Sequence, residues 1–158
     1  MYYTFLNTPV GEILLTKKQN ILHTICFPKK NKQFILDSLW EKNNDEFSRE
    51  IKEIIDYFSG RLKKFSKIPL PKGTDFQQKI WKALLDIPYG ATMSYQEIAK
   101  AAGSPKGARA AGNALNINPI PIIIPCHRVI GKNGSLTGFG GGLNVKKYLL
   151  DLEQKFSK

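Results

Sequence analysis

The sequence predicts an α/β N-terminal domain with a small antiparallel sheet, followed by a mainly α, winged-helix-like C-terminal domain that contains a helix-turn-helix. Three observations lead there. The first 27 residues hold three short apolar, β-branched or aromatic runs separated by turn residues. Two later segments each open with a capping box and continue with apolar residues on one helical face. Ahead of both capped segments, residues 61–73 mix charge with Pro69, Pro71 and Gly73, which reads as a connecting segment. The expected domains are therefore 1–70 and 71–158.

Taken in order, residues 1–6, 12–17 and 21–27 are the expected strands, punctuated by Thr8-Pro9-Val10-Gly11 and Lys18-Gln19-Asn20. The stretch 27–44 is ambiguous, although Phe34, Ile35, Leu36 and Leu39 suggest a helix among lysines. Phe47, Ile51, Ile54, Ile55 and Phe58 recur at helical spacing over 45–59, with Gly60 as the stop. After the connection, Thr74-Asp75-Phe76-Gln77 caps a helix whose face is Phe76, Ile80, Leu84 and Ile87. Ser94-Tyr95-Gln96-Glu97 caps a short helix that Gly103 ends. Ser104 and Pro105 then supply an N-cap and first turn for a helix running to about Asn116. Two short helices joined by a tight turn, with small residues where they touch, have the form of a helix-turn-helix.

Composition bounds the rest. The chain has 158 residues, 42% hydrophobic and 11% aromatic, so it is neither a disordered tail nor dependent on disulfides for a core. No run approaches the roughly 20 apolar residues of a membrane span; Ile122-Ile123-Ile124 is framed by Pro121 and Pro125. Nothing basic precedes the first apolar stretch, so no secretory signal is expected. Cys26 and Cys126 form no framework pattern, which suits a reduced, cytoplasmic protein, expected to be a monomer. His23 and Cys26, three apart in a strand, face opposite sides, and with only 2 histidines no metal site or cofactor is expected. The formal charge is +11, and residues 72–158, with 12 basic and 5 acidic side chains, are the more basic part. Such an excess attracts polyanions, but the same lysines also suit a solvated surface.

Chemistry concentrates after Asn118-Pro119. Ile120 to Ile124 reads as a strand-like run whose prolines at 119, 121 and 125 fix the approach to Cys126-His127-Arg128-Val129. A thiol is a strong nucleophile as its thiolate, and His127 and Arg128 offer a base and a positive charge. Most free cysteines are small buried hydrophobes, so from these residues alone both readings stand.

The segment Ile124-Pro125-Cys126-His127-Arg128-Val129-Ile130 resembles the active-site signature of the O6-alkylguanine-DNA alkyltransferases. So do Ile87-Pro88-Tyr89-Gly90, Ser94-Tyr95, Pro105 to Ala110, Asn118-Pro119 and Gly141-Gly142-Leu143, in order, from about Phe76 to Glu153. The first 70 residues match only in length and coarse pattern. The resemblance implies direct reversal of damage in double-stranded DNA containing O6-alkylguanine. The base is flipped out, and its alkyl group moves irreversibly onto Cys126. His127 is implied as the base acting through water, Glu153 as the carboxylate that orients it, and Tyr95 as the donor that helps guanine leave. Arg109 is implied as the finger that fills the vacated stack, within a DNA-binding set of Ser94, Ala108, Ala110, Asn118 and Arg128. Asn118 is also implied as a hinge.

The implied substrate pocket includes Pro121, Val129, Phe139 and Gly140, with the Cys126 and Val129 carbonyls reading the guanine amino group. Gly140 stands where several relatives carry a polar residue, and zinc, present in the N-terminal domain of some relatives, is not expected here. Each implied role has a plainer counterpart: packing for Tyr95, a phosphate contact for Arg109, turn chemistry for Asn118 and solvation for Glu153. The competing functions are a non-catalytic lesion binder, a winged-helix regulator and a cysteine hydrolase. The first lacks the acceptor cysteine, and no second hydrolase signature accompanies the third.

Overall fold

The computed structural model describes all 158 residues. They form two compact units, Met1–Pro69 and Leu70–Lys158. No helix is long and apolar enough to cross a membrane.

The first unit is built on β1 (Tyr2–Thr8), β2 (Gly11–Lys18) and β3 (Ile21–Cys26), paired antiparallel as expected. The β2–β3 turn places Gln19 and Asn20 at φ 49° and 63°, the twist that two-residue hairpins favour. A fourth strand, β4 (Glu41–Lys42), lies parallel to β1, so the sheet is mixed, in the order β3-β2-β1-β4. That corrects the expectation of a purely antiparallel sheet. A two-residue strand after a long irregular connection leaves too weak a pattern to read locally.

The suggested helix near Phe34–Leu39 is also absent. Ile35 and Leu39 are 91% and 86% exposed, so no apolar face is buried there to hold a helix. A single tight turn at Asp45–Phe47, which buries Phe47, leads into α1 (Ser48–Phe58); its Ile54, Tyr57 and Phe58 are buried, as are Ile13, Leu15 and Ile25 of the sheet. Ile55 stays exposed, and Tyr57 takes the core position instead.

The second unit opens with α2 (Asp75–Leu85), whose capping box between Thr74 and Gln77 is formed as expected. Ile80, Trp81 and Leu84 are buried, and Trp81 Nε1 donates to Ala114 O at 3.0 Å, tying α2 to α4 (Ala108–Asn116). The second box, Ser94 with Glu97, caps α3 (Tyr95–Ala101), and Gly103 at φ +81° ends it. The next helix starts later than the sequence suggested. Ser104 to Gly107 close a reverse turn through Gly107 N donating to Ser104 O at 2.8 Å, and α4 begins at Ala108. Ser104 is therefore not its N-cap, because Pro105 and Lys106 are used up in the turn.

The run from Ile120 to Ile124 is not a strand. Ile124 N donates to Ile120 O at 3.0 Å, and Ile122 adopts φ +74°. Pro121 cannot donate to a ladder, and the chain folds back on itself instead. A β-branched residue in the left-handed region costs roughly 1–3 kcal/mol, offset here by complete burial of the Ile122 side chain. A one-turn helix at Cys126–Arg128 follows, then β6 (Val129–Ile130), which pairs parallel with β5 (Met93–Ser94). That pairing ties the start of α3 to the residues just after Cys126. A glycine-rich segment, 131–142, leads into α5 (Leu143–Phe156).

Candidate active site

Cys126 is the first residue of the one-turn helix and is 5% exposed. Its amide donates to Ile124 O at 2.8 Å, and the Asn118 Nδ2 donates to that same carbonyl at 2.8 Å. Asn118 Oδ1 also accepts from Ile120 N at 3.1 Å. The Asn118 side chain thus clamps both ends of the turn that delivers the sulfur. Burial pushes the thiol up to about 11, although Asn118, the Lys146 charge and backbone N–H groups all favour the thiolate. The positive charge that acts on the thiol is Lys146 rather than the Arg128 expected from the sequence, and desolvation outweighs it. At rest the sulfur holds its proton.

His127 is fully buried, and its Nε2 lies 2.6 Å from Glu153 Oε1. Burial lowers the imidazole below its usual range, against the upward pull of Glu153. Glu153, on α5, accepts Arg128 Nε at 2.9 Å, Arg128 Nη2 at 2.9 Å and Gly90 N at 3.3 Å besides the imidazole. Burial raises its carboxyl, but the hydrogen bonds and charges of His127 and Arg128 outweigh that and hold it at about 2. An ionised Glu153 fixes the neutral imidazole with its proton on Nε2, which makes Nδ1 the basic nitrogen. Glu153 is only 1% exposed, so its plainer reading as a solvated terminal residue fails.

Arg128 requires a correction. Expected among the DNA contacts, it is 7% exposed and spends its guanidinium on Glu153 and on Ile87 O, reached by Nη1 at 2.7 Å. It also stacks over the Tyr89 ring at 5.7 Å. An arginine beside a histidine in sequence gives no indication of which way the fold turns it.

The remaining expected residues fall in three places. Ser94 caps α3, its Oγ accepting from Glu97 N at 3.1 Å. Ala108, Arg109 and Ala110 form the first turn of α4, where Arg109 and Ala110 are exposed and Ala108 is half-buried. Pro121 and Val129 are buried, whereas Phe139 is half-buried and Gly140 exposed; a Cβ on Gly140 would meet no atom within 4 Å. Tyr95 opens α3, and its hydroxyl bonds to Thr137.

Lys146 was not anticipated. It is fully buried and its Nζ donates to Val129 O at 2.6 Å and Thr137 O at 2.8 Å. The Val129 carbonyl expected to read guanine is thus already engaged by a lysine. Burial lowers the Lys146 ammonium, opposed by Cys126. A signal was available, because Lys146 shares the helical face of Leu149 and Glu153 on α5.

A buried cysteine followed by a carboxylate-held imidazole, in a helical unit with an exposed arginine at the start of one helix, is the arrangement of a protein that uses a cysteine nucleophile. The family described as 6-O-methylguanine DNA methyltransferase matches through its ribonuclease-like domain at residues 1–71 and its DNA binding domain at residues 75–155. The chain is 46% identical to a methylated-DNA–protein-cysteine methyltransferase of Methanosarcina acetivorans, covering 97% of this chain and 98% of that protein. The corresponding protein of Haemophilus influenzae is 44% identical over 98% of this chain and 87% of its own. The crystal structure of Mycobacterium tuberculosis OGT in complex with DNA superposes with a TM-score of 0.89 at 42% identity, covering 98% of this chain and 94% of that one. The chain belongs to the 6-O-methylguanine DNA methyltransferase family, and its first 71 residues match that family's N-terminal domain, which coarse pattern alone had not revealed.

Proposed function

We propose that this protein repairs O6-alkylguanine in double-stranded DNA by moving the alkyl group, irreversibly and once per molecule, onto Cys126. The observation that carries the reading is the buried series Cys126, His127, Glu153, in which a carboxylate held at about 2 fixes the imidazole that follows the nucleophile. Displacement at a saturated carbon suits a soft sulfur nucleophile. A thiol at about 11 is protonated at rest, so its proton must leave as the carbon is attacked. His127 Nδ1 takes it through a water, and Glu153 stabilises the imidazolium. The S–C bond forms, the C–O6 bond breaks, and the bonding pair withdraws into the purine ring, where the Tyr95 hydroxyl donates. The product is a thioether with no labile bond, so the protein does not turn over.

In this reading residues 71–158 bind the duplex as a winged-helix-like domain, with α3 and α4 as its helix-turn-helix. Arg109, exposed at the start of α4, enters the stack as the damaged base is extruded, offsetting part of an unstacking cost of a few kcal/mol. Phe139 and Gly140 border the flipped base, and the open space at Gly140 admits bulkier alkyl groups, which inhibition by O6-benzylguanine would test. The protein works as a monomer in the cytoplasm and needs no cofactor.

The decisive experiment is single-turnover transfer from a duplex carrying radiolabelled O6-methylguanine. One equivalent of label is expected on the wild type and none on Cys126→Ala. Tight lesion binding with no label on the wild type would make the protein a lesion binder and remove the roles given to His127, Glu153 and Tyr95.

A further inference from the structure

The hydroxyl of Tyr95 meets the same residue twice: its oxygen is 2.9 Å from the Thr137 carbonyl and 3.1 Å from Thr137 Oγ1. A carbonyl only accepts, so the single phenolic proton points at it. With that proton placed, the phenolic oxygen is the acceptor in the second contact, and Thr137 Oγ1 is the donor. The polarity of the pair is therefore forced. The Thr137 carbonyl also accepts from Lys146 Nζ at 2.8 Å, and that ammonium lies 5.9 Å from the centre of the Tyr95 ring. Next to Thr137, Gly138 adopts φ +46°, and a Cβ there would come within 3.9 Å of the Tyr95 oxygen.

We propose that Thr137 is a positioning residue for Tyr95. Its hydroxyl grips the phenolic oxygen, so that the phenolic proton swings from the Thr137 carbonyl to the departing guanine while the oxygen stays in place. Lys146 remains on the carbonyl, which is not orphaned when Tyr95 turns away. As the C–O6 bond breaks and charge grows on the purine, the Thr137 O–H strengthens Tyr95 as a donor by polarising its oxygen. The proton that neutral guanine finally carries balances the one Cys126 gave to His127. This inference rests on the alkyl-transfer reading above.

The test is a double-mutant cycle in the full-length protein, measuring single-turnover transfer from an O6-methylguanine duplex and the affinity for that duplex. Thr137→Val keeps the carbonyl and the shape but removes the hydroxyl. It is expected to slow transfer roughly five- to tenfold, the rate equivalent of one neutral hydrogen bond, with duplex affinity unchanged. Thr137→Ser should restore the rate. In a Tyr95→Phe background, Thr137→Val should cause no further slowing. Equal slowing in both backgrounds, failure of serine to rescue, or a wild-type rate in Thr137→Val would each overturn the inference while leaving alkyl transfer intact. A wild type that takes up no label would overturn the transfer reading and this inference with it.

Discussion

Each unit of this protein buries charge, and the two burials differ in what surrounds them. In the first unit Lys17 is 7% exposed and Glu50 4%. The Lys17 ammonium donates to Glu46 O and to Glu50 Oε2, the latter at 3.3 Å, and lies over the Phe47 ring, while Arg49 covers the other Glu50 oxygen. The second unit uses the same kinds of groups: Lys146 on backbone carbonyls, and Arg128 with His127 on Glu153. The first cluster ties β2 to α1 and touches no reactive atom. The second adjoins a cysteine at the end of a strained turn, beside a glycine-rich segment and a tyrosine. Buried charge by itself is a feature of packing; the neighbouring nucleophile turns it into chemistry.

The largest effect should come from Glu153→Gln. Removing the anion leaves Arg128 buried without its counter-charge and frees the imidazole to adopt the other tautomer. Denaturant unfolding should show a loss of about 3–5 kcal/mol, and single-turnover transfer should fall roughly a hundredfold. A stable variant with full transfer would erase the distinction between the clusters.

Arg109→Ala comes next. It should slow repair of a duplex by about tenfold or more while leaving reaction with free O6-benzylguanine nearly unchanged, because only the duplex has a stack to fill. Comparable slowing on both substrates would remove the finger role.

The pH dependence sharpens the role of His127. Its folded value lies below the usual 6.5, so the base form is present above that point. Transfer should be flat between about pH 7 and 9 and fall on the acid side as the imidazole is protonated. If the thiol ionised on its own, the rate would instead climb tenfold per unit toward about 11. Stability follows the same direction. A histidine held below its unfolded value stabilises the fold above about 6.5 and loses that contribution as pH falls. Glu153, held at about 2 rather than 4.5, contributes fully above 4.5 and loses its contribution between those values.

The smallest functional effect belongs to the first unit. Glu50→Gln should lower stability by about 2 kcal/mol, since Lys17 keeps the Glu46 carbonyl but loses its charged partner. Transfer from a lesion duplex, measured below the unfolding transition, should match the wild type. A matching loss of transfer would show that the first cluster serves the reaction as well as the packing.

Much of the fold was readable where its cause is local. The capping boxes at Thr74 and Ser94 place α2 and α3 because a side chain and an amide three residues apart satisfy each other without outside help. Cys126, His127 and the turn-forming prolines were likewise visible as residue types in a row. Other features were not. Phe34 to Leu39 carry helical spacing, but a helix needs a continuous apolar face to bury, and Ile35 and Leu39 stay exposed. Pro105 and Lys106 suit a helix start and a reverse turn equally, and the chain takes the turn, closed by Gly107 N donating to Ser104 O.

What the sequence alone determined was the inventory: a basic chain, a nucleophile followed by a base, two capped helices and a third helix that carries an arginine. Only the tertiary structure decided the partners. It brought Glu153 to His127 across 26 residues, turned Arg128 inward onto that carboxylate, and set Lys146 on the carbonyls of Val129 and Thr137. The physical reason is that capping and turn formation act within a few residues, whereas the pairing of buried charges depends on which side chains lose water together. Packing distant segments against one another settles that question.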